Sequence, residues 1–305
     1  MKRNFFVFYI IALGALFIFS CKNDPQKDNV TPDESVDSIG SFDSKDSVRL
    51  EKVLKIFKTL PSPMEMAIAF EQSGLTYPEK IMHDYHQAQK YNTTFSQALN
   101  LGVYGADMSF AAVFNKPQQS IYYMGASKIL AQNLDIAAAV PQEVIEKLER
   151  NLGNKDTLYQ VVAETYWSVN AYLNDNQRQE VSALVLAAGW IEGMYIGTSI
   201  ALLRPDKTKE IQDRLAEQKL SFNHLIELLN TFSNDSEIGK ILEWLQPVEN
   251  AYKNIEYVIT STVVTEKNAD GIAEIGGTKT LQYTLDDIKQ LHEAIKNVRN
   301  KIVSL

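Results

Sequence analysis

The sequence predicts an all-α domain carrying one small β-hairpin near its C-terminus, and three observations carry that expectation. From Ser47 onward apolar residues recur at helical spacing almost throughout. The breaks between periodic segments are short, as at Leu203-Arg204-Pro205-Asp206, so successive helices should be antiparallel neighbours. One stretch departs from the helical period: the β-branched run from Ile259 to Thr265. The expected architecture is therefore a multi-helix bundle or a set of stacked αα-hairpins, of which a TPR-like superhelix is one form.

Two segments of different character precede the helices. Lys2 and Arg3 open the chain, an apolar run follows from Phe5 to Phe19, and Ser20 stands before Cys21, the only cysteine of the 305 residues. A basic start, an apolar stretch and a small residue before a cleavage point are what export machinery reads. About 15 apolar residues fall short of the roughly 20 a spanning helix needs, so a signal peptide over 1–20 is expected rather than a membrane anchor. The residues Leu16-Phe17-Ile18-Phe19-Ser20 resemble the bacterial lipobox, which implies acylation of Cys21, with palmitate among the attached chains. A lone cysteine forms no intramolecular disulfide, so the exported domain must hold together by burial. Residues 21–46 are rich in Asp, Ser, Asn, Pro and Lys, too poor in apolar side chains to offset ordering entropy, and read as a disordered tether. Asp24 and Asp28 resemble the acidic export tag of surface lipoproteins of Bacteroidota.

A single helical domain is expected over 47–305. Val53, Leu54, Ile56, Phe57 and Leu60 mark a first amphipathic helix that Pro61 and Pro63 stop, and a second short helix, with Met64 and Met66 in its core stripe, runs to Gly74. Tyr77-Pro78 predicts a third helix with proline in its first turn. Asn92 and Thr93 supply a cap for a long helix to about Phe114, and Pro117 opens another that ends near Leu134. Helices are expected next over 141–151, 156–174, 177–203, 206–231 and 236–258. The hairpin would use Ile259–Thr265, a turn at Asn268-Ala269-Asp270-Gly271, and a second arm from Ile272 to Tyr283. Thr284 and Asp287 form a capping-box pattern ahead of the last helix, whose stripe is Ile288, Leu291, Ile295, Val298 and Ile302.

Composition excludes some functions. The net charge is −8, and about −10 once Lys2 and Arg3 leave with the signal, with no basic cluster to meet a phosphate backbone, so no nucleic-acid partner is expected. No glycine-rich phosphate loop, nucleophile elbow or HExxH pattern occurs, and no cofactor is expected. His83 and His86, at i and i+3 among polar neighbours, read as a solvated helix face rather than a metal site. The stretch Val181–Leu203 is long enough to span a bilayer, and Gly189, Gly193 and Gly197 form a ladder suited to close helix contact. Glu192 in its middle would cost roughly 2.5–3.5 kcal/mol there, so a buried core helix is expected instead.

The acids in apolar surroundings are the candidate site. Asp107 shares a helical face with Val103, Tyr104, Phe110 and Phe114, Glu192 sits in the most apolar stretch of the mature chain, and Glu164 lies three residues before Trp167. A buried carboxylate costs several kcal/mol unless paired, so each needs a partner. One expectation is an interhelical pocket of Asp107, Glu164, Glu192, Tyr104, Trp167, Trp190 and Tyr195 taking a small ligand or cation. The other, which the sequence favours, is that tyrosine hydroxyls, indole and helix amides satisfy these acids structurally.

The stretches NLGVYGADMSFAAVFNKPQQSIYYM (100–124) and YLNDNQRQEVSALVLAAGWIEGMYIG (172–197), with the late Gly-Gly segment and terminal helix, resemble a family of uncharacterised helical lipoproteins from Bacteroidota. The resemblance implies a helical fold and a lipid-anchored place at the cell envelope, on the outer membrane. The functional expectation is a non-enzymatic binding or interaction module with a protein or small-molecule ligand. The alternative is a carboxylate-based metal site or hydrolase in an interhelical pocket. Convergence of the three acids on one accessible cavity would favour the alternative.

Overall fold

The computed structural model describes residues 55–56, 59–151, 153–264 and 275–305. The expected signal peptide, Cys21, the tether, most of the first amphipathic helix and the hairpin turn lie outside them. All described residues belong to one unit, Asp43–Leu305. Its described residues form nine α-helices, four short 3-10 segments and one two-stranded antiparallel sheet, an all-α unit with a small hairpin as the periodicity predicts.

Local signals fix the helix ends. Helix α1 (Pro63–Gln72) opens on a capping box between Ser62 and Glu65, with proline at its first position. Helix α2 (Thr94–Val113) opens on Thr93 paired reciprocally with Ser96, and α9 (Leu285–Val303) on Thr284 with Asp287. Pro117 begins α3 (Pro117–Asn133). Four helices end alike. After α1, α2, α3 and α5 (Lys155–Asp175), the residues Gly74, Asn115, Asp135 and Gln177 take positive φ of 85°, 52°, 58° and 58°. In each case the next N–H donates back five residues, as from Lys116 to the Ala111 carbonyl at 2.7 Å, completing a Schellman cap.

The helices α4 (Gln142–Arg150), α6 (Gln179–Leu203), α7 (Lys209–Asn230) and α8 (Ser236–Lys253) follow the expected spans to within a few residues, except that α8 stops five residues early. The chain after Lys253 instead joins β1 (Glu256–Val264), paired with β2 (Ile275–Gln282) from Glu256↔Gln282 to Val264↔Ile275, with an irregularity between Ile259 and Thr262. A two-stranded sheet is marginal by itself. It is tied to α7 where the Tyr283 hydroxyl donates to Asp213 at 2.6 Å and receives a bond from Lys209. The helix expected from Tyr77-Pro78 does not form. The segment makes two 3-10 turns, Glu79–Ile81 and Tyr85–Lys90, because Asp84 turns its carboxylate onto the His86 N–H and side chains from other helices hold its backbone in place.

The choice between bundle and stacked hairpins falls to a bundle. In a stack each hairpin touches only its neighbours. Here α2 and α6, separated by three helices in sequence, form the most extensive interface, and α9 packs on α6, α8 and α2. Helix α6, the one described helix long and apolar enough to cross a membrane, is instead buried on nearly all sides by its neighbours. Its glycine ladder faces two of them. Gly102 of α2 lies against the backbone of α6 at Val185 and Gly189, while Gly189, Gly193 and Gly197 receive Pro63, Met66 and Phe70 of α1. At Gly102, where an added Cβ would meet the Val185 carbonyl oxygen 2.2 Å away, only a residue without a Cβ permits that approach.

Candidate functional site

Helices α2, α6 and α9 each bring one ionisable side chain to the interior of the unit. Asp107 and Glu192 are fully buried and Arg299 is 8% exposed. The Arg299 guanidinium donates from Nε to Glu192 Oε2 at 2.9 Å and from an Nη to Oε1 at 3.3 Å, a two-pronged pairing. Its plane rests 4.9 Å above the Tyr195 ring. His292 also stacks with Tyr195, at 6.2 Å, and its Nδ1 meets the Thr198 hydroxyl at 3.0 Å. Glu192 and Arg299 therefore fasten α6 to α9.

Asp107 has a different environment. Its Oδ2 accepts the backbone N–H of His83 at 3.0 Å, and its Oδ1 has no hydrogen-bond partner. Around it, tyrosines bind the 83–84 backbone rather than the acid: Tyr104 donates to the Asp84 carbonyl at 3.0 Å and Tyr123 to the His83 carbonyl at 3.1 Å. The His83 ring stacks on Tyr104 at 5.2 Å, and its Nε2 lies 2.7 Å from the Tyr91 hydroxyl. The Tyr91 hydroxyl also donates to the Val303 carbonyl at 3.3 Å. Lys90 also donates to Val303, and Asn100 to Ile302 at 3.1 Å. The polar residues of this region thus add donors to the carbonyls at the C-terminus of α9.

Burial sets the protonation states. It pushes the Asp107 carboxyl well above the usual carboxylate range, with the Glu192 charge adding to the effect and Arg299 and the His83 N–H opposing it. Burial raises Glu192 too, against the pull of the guanidinium and its hydrogen bonds. For Arg299 burial alone would favour loss of the proton, but Glu192 more than offsets this and its charge is firmly held. Desolvation, aided by Arg299 and Lys90, lowers His83 to about 3, so its ring is neutral.

The other expected pocket residues lie elsewhere. Glu164 is at the surface, accepting from Gln160 at 2.7 Å and lying 3.4 Å from Lys147, and Trp167 is 43% exposed. The buried stripe of α5 runs through Leu158, Val161, Val162, Thr165, Tyr166, Val169, Asn170 and Leu173, and both residues fall off it. Trp190 is buried on another face of α6, against Phe222 at 5.4 Å, with its indole N–H toward Gln218 at 3.4 Å. Of the expected pocket, Asp107, Glu192, Tyr104 and Tyr195 come together, and Glu164, Trp167 and Trp190 do not.

Sequence reasoning missed two members. Arg299 was legible as the one basic residue on the apolar stripe of α9, four residues after Ile295 and three before Ile302. His83, expected on a solvated face, is the other. It is 8% exposed, whereas His86 is at the surface with its Nδ1 2.8 Å from Asp84. Chemically, Glu192 has both oxygens engaged by Arg299, and among the described residues no group of three or more His, Cys, Asp or Glu side chains is placed to hold a metal. No protein-family model, curated protein or solved structure matches the chain.

Proposed function

We propose that this chain is a lipid-anchored, non-enzymatic binding or interaction module of the cell envelope, borne on the outer membrane, as its resemblance to the helical lipoproteins of Bacteroidota implies. In this reading residues 1–20 are removed on export, Cys21 carries the acyl chains, and 21–46 tether a helical domain that meets a protein or small-molecule ligand at its surface. One observation favours a binding module over a carboxylate enzyme. The three acids picked out by their apolar context do not converge: Glu164 is at the surface, Glu192 is committed to Arg299, and Asp107 is sealed inside. A pair of carboxylates working as acid and base must share one accessible site, and these three do not. The anionic composition fits a body that stays off anionic lipid surfaces except through its anchor.

Mass spectrometry of the mature polypeptide, purified from cells that export it, tests the anchor. The expected N-terminus is an acylated Cys21. A chain that retains residues 1–20, or a mature protein without acyl chains, contradicts the proposal.

A further inference from the structure

We propose that Asp107 is kept as a neutral carboxylic acid inside the fold, and that its ionisation at alkaline pH loosens the packing of α2 against α6 and α9. The geometry points to this before any titration is considered. An ionised carboxylate has about four acceptor sites to fill. Asp107 is fully buried and receives one hydrogen bond, from the His83 N–H, while its other oxygen has no partner. The one cation in the cluster is already used, since Arg299 gives two N–H bonds to Glu192. With both acids ionised the interior would hold two negative charges against one positive. With Asp107 neutral the charges cancel.

The groups facing Asp107 supply no second cation. From the 77–91 segment come Tyr77, whose hydroxyl has no partner, Asp84, whose carboxylate turns to His86, and His83, neutral because burial depresses it to about 3. Tyr104 on α2 and Tyr123 on α3 give their protons to the Asp84 and His83 carbonyls. From α6 come Glu192 and Tyr195, and from α9 Arg299, with His292 turned to Thr198. Burial pushes the phenols of Tyr77, Tyr104 and Tyr123 upward, and Asp107 adds to each, so they remain protonated.

The sign of the pH dependence follows by linkage. A carboxyl that holds its proton more tightly folded than unfolded stabilises the fold fully below about pH 4, and this contribution falls tenfold in the folding constant per pH unit above that. His83 acts oppositely, because its depressed folded state gives stability that is complete above about pH 6.5 and lost as pH falls toward 3. The two oppose each other between about pH 4 and 6.5. Above that His83 no longer opposes the acid's decline.

Infrared spectra of the full mature chain in D2O near pH 7, compared with Asp107→Asn, test the proton directly. The wild type should show a protonated-carboxyl stretch that the variant lacks. Urea unfolding from about pH 7 to 9 should then show the wild-type folding constant falling up to tenfold per pH unit, with Asp107→Asn shallower. If the variant does not fold, the side-chain 13C shift of Asp107 in the wild type, followed over the same range, reads the same proton. Absence of the protonated stretch, an Asp107 shift already that of a carboxylate at pH 7, or equal pH slopes in wild type and variant would overturn the proposal. So would stabilisation by sodium or calcium in place of the proton.

Discussion

Replacing Gly102 by alanine should unfold this protein more readily, although helix propensity alone says the opposite. Gly102 lies inside α2, where Gly→Ala ordinarily gains about 0.8–1.0 kcal/mol. A Cβ there would sit 2.2 Å from the Val185 carbonyl oxygen, 2.9 Å from the Gly189 amide nitrogen and 3.0 Å from the Ala188 Cβ. Ordinary contact lies near 3.5 Å, so the first gap is short by about 1 Å. The first two atoms are backbone, and no rotamer change moves them. Relief requires α2 and α6 to part along the largest interface of the unit, and overpacking of this kind costs about 1–3 kcal/mol or more. Set against the propensity gain, the net expectation is a loss of about 1–2 kcal/mol, a drop of roughly 2–8 °C in midpoint for a domain of this size. Gly105, three residues on in the same helix, has nothing within 4 Å of its would-be Cβ and serves as the control. Gly105→Ala should be neutral or stabilising by up to about 1 kcal/mol. Urea unfolding followed by circular dichroism reads both. Equal midpoints for Gly102→Ala and Gly105→Ala would refute the account of how α2 meets α6.

Three further substitutions probe surface and caps. Gln177 holds φ of 58° at the end of α5 without glycine's freedom, so Gln177→Gly should stabilise by about 1 kcal/mol, measured as a raised urea midpoint; a lowered midpoint would contradict the cap assignment. Glu164→Gln and Trp167→Ser should each leave stability within about 0.5 kcal/mol of wild type, since both residues stand off the buried stripe of α5, and a loss above about 2 kcal/mol would return them to the core.

Most of the helices could be read from the chain because their boundary signals are local. Thr93 and the Thr284–Asp287 box cap helices, and Pro117 opens one at its first position, where their chemistry requires it. The segment after Pro78 could not be read this way. Its conformation rests on Asp107, Tyr104 and Tyr123, which hold the backbone of His83 and Asp84 from 20 to 40 residues away, and no local pattern encodes such bonds. The end of α8 was obscured for a related reason, since the residues before Ile259 suit either helix or strand until β2 pairs with them. At the site, apolar context correctly buried Asp107 and Glu192. Glu164 lies near Trp167 in sequence, but the buried stripe of α5 excludes both, so nearness to an aromatic residue does not bury an acid. The pairing of Glu192 with Arg299 joins residues 107 apart in sequence, so it is set by how α6 packs on α9 rather than by any local spacing.

The central claim is that the buried charges are architectural and clasp α6 to α9. A double-mutant cycle with Glu192→Met and Arg299→Met tests it most directly. Each single change strands a buried charge and should cost about 3–5 kcal/mol, while the double removes both and should cost at least about 2 kcal/mol less than their sum. Single losses below about 1 kcal/mol that simply add in the double variant would show that no such clasp exists.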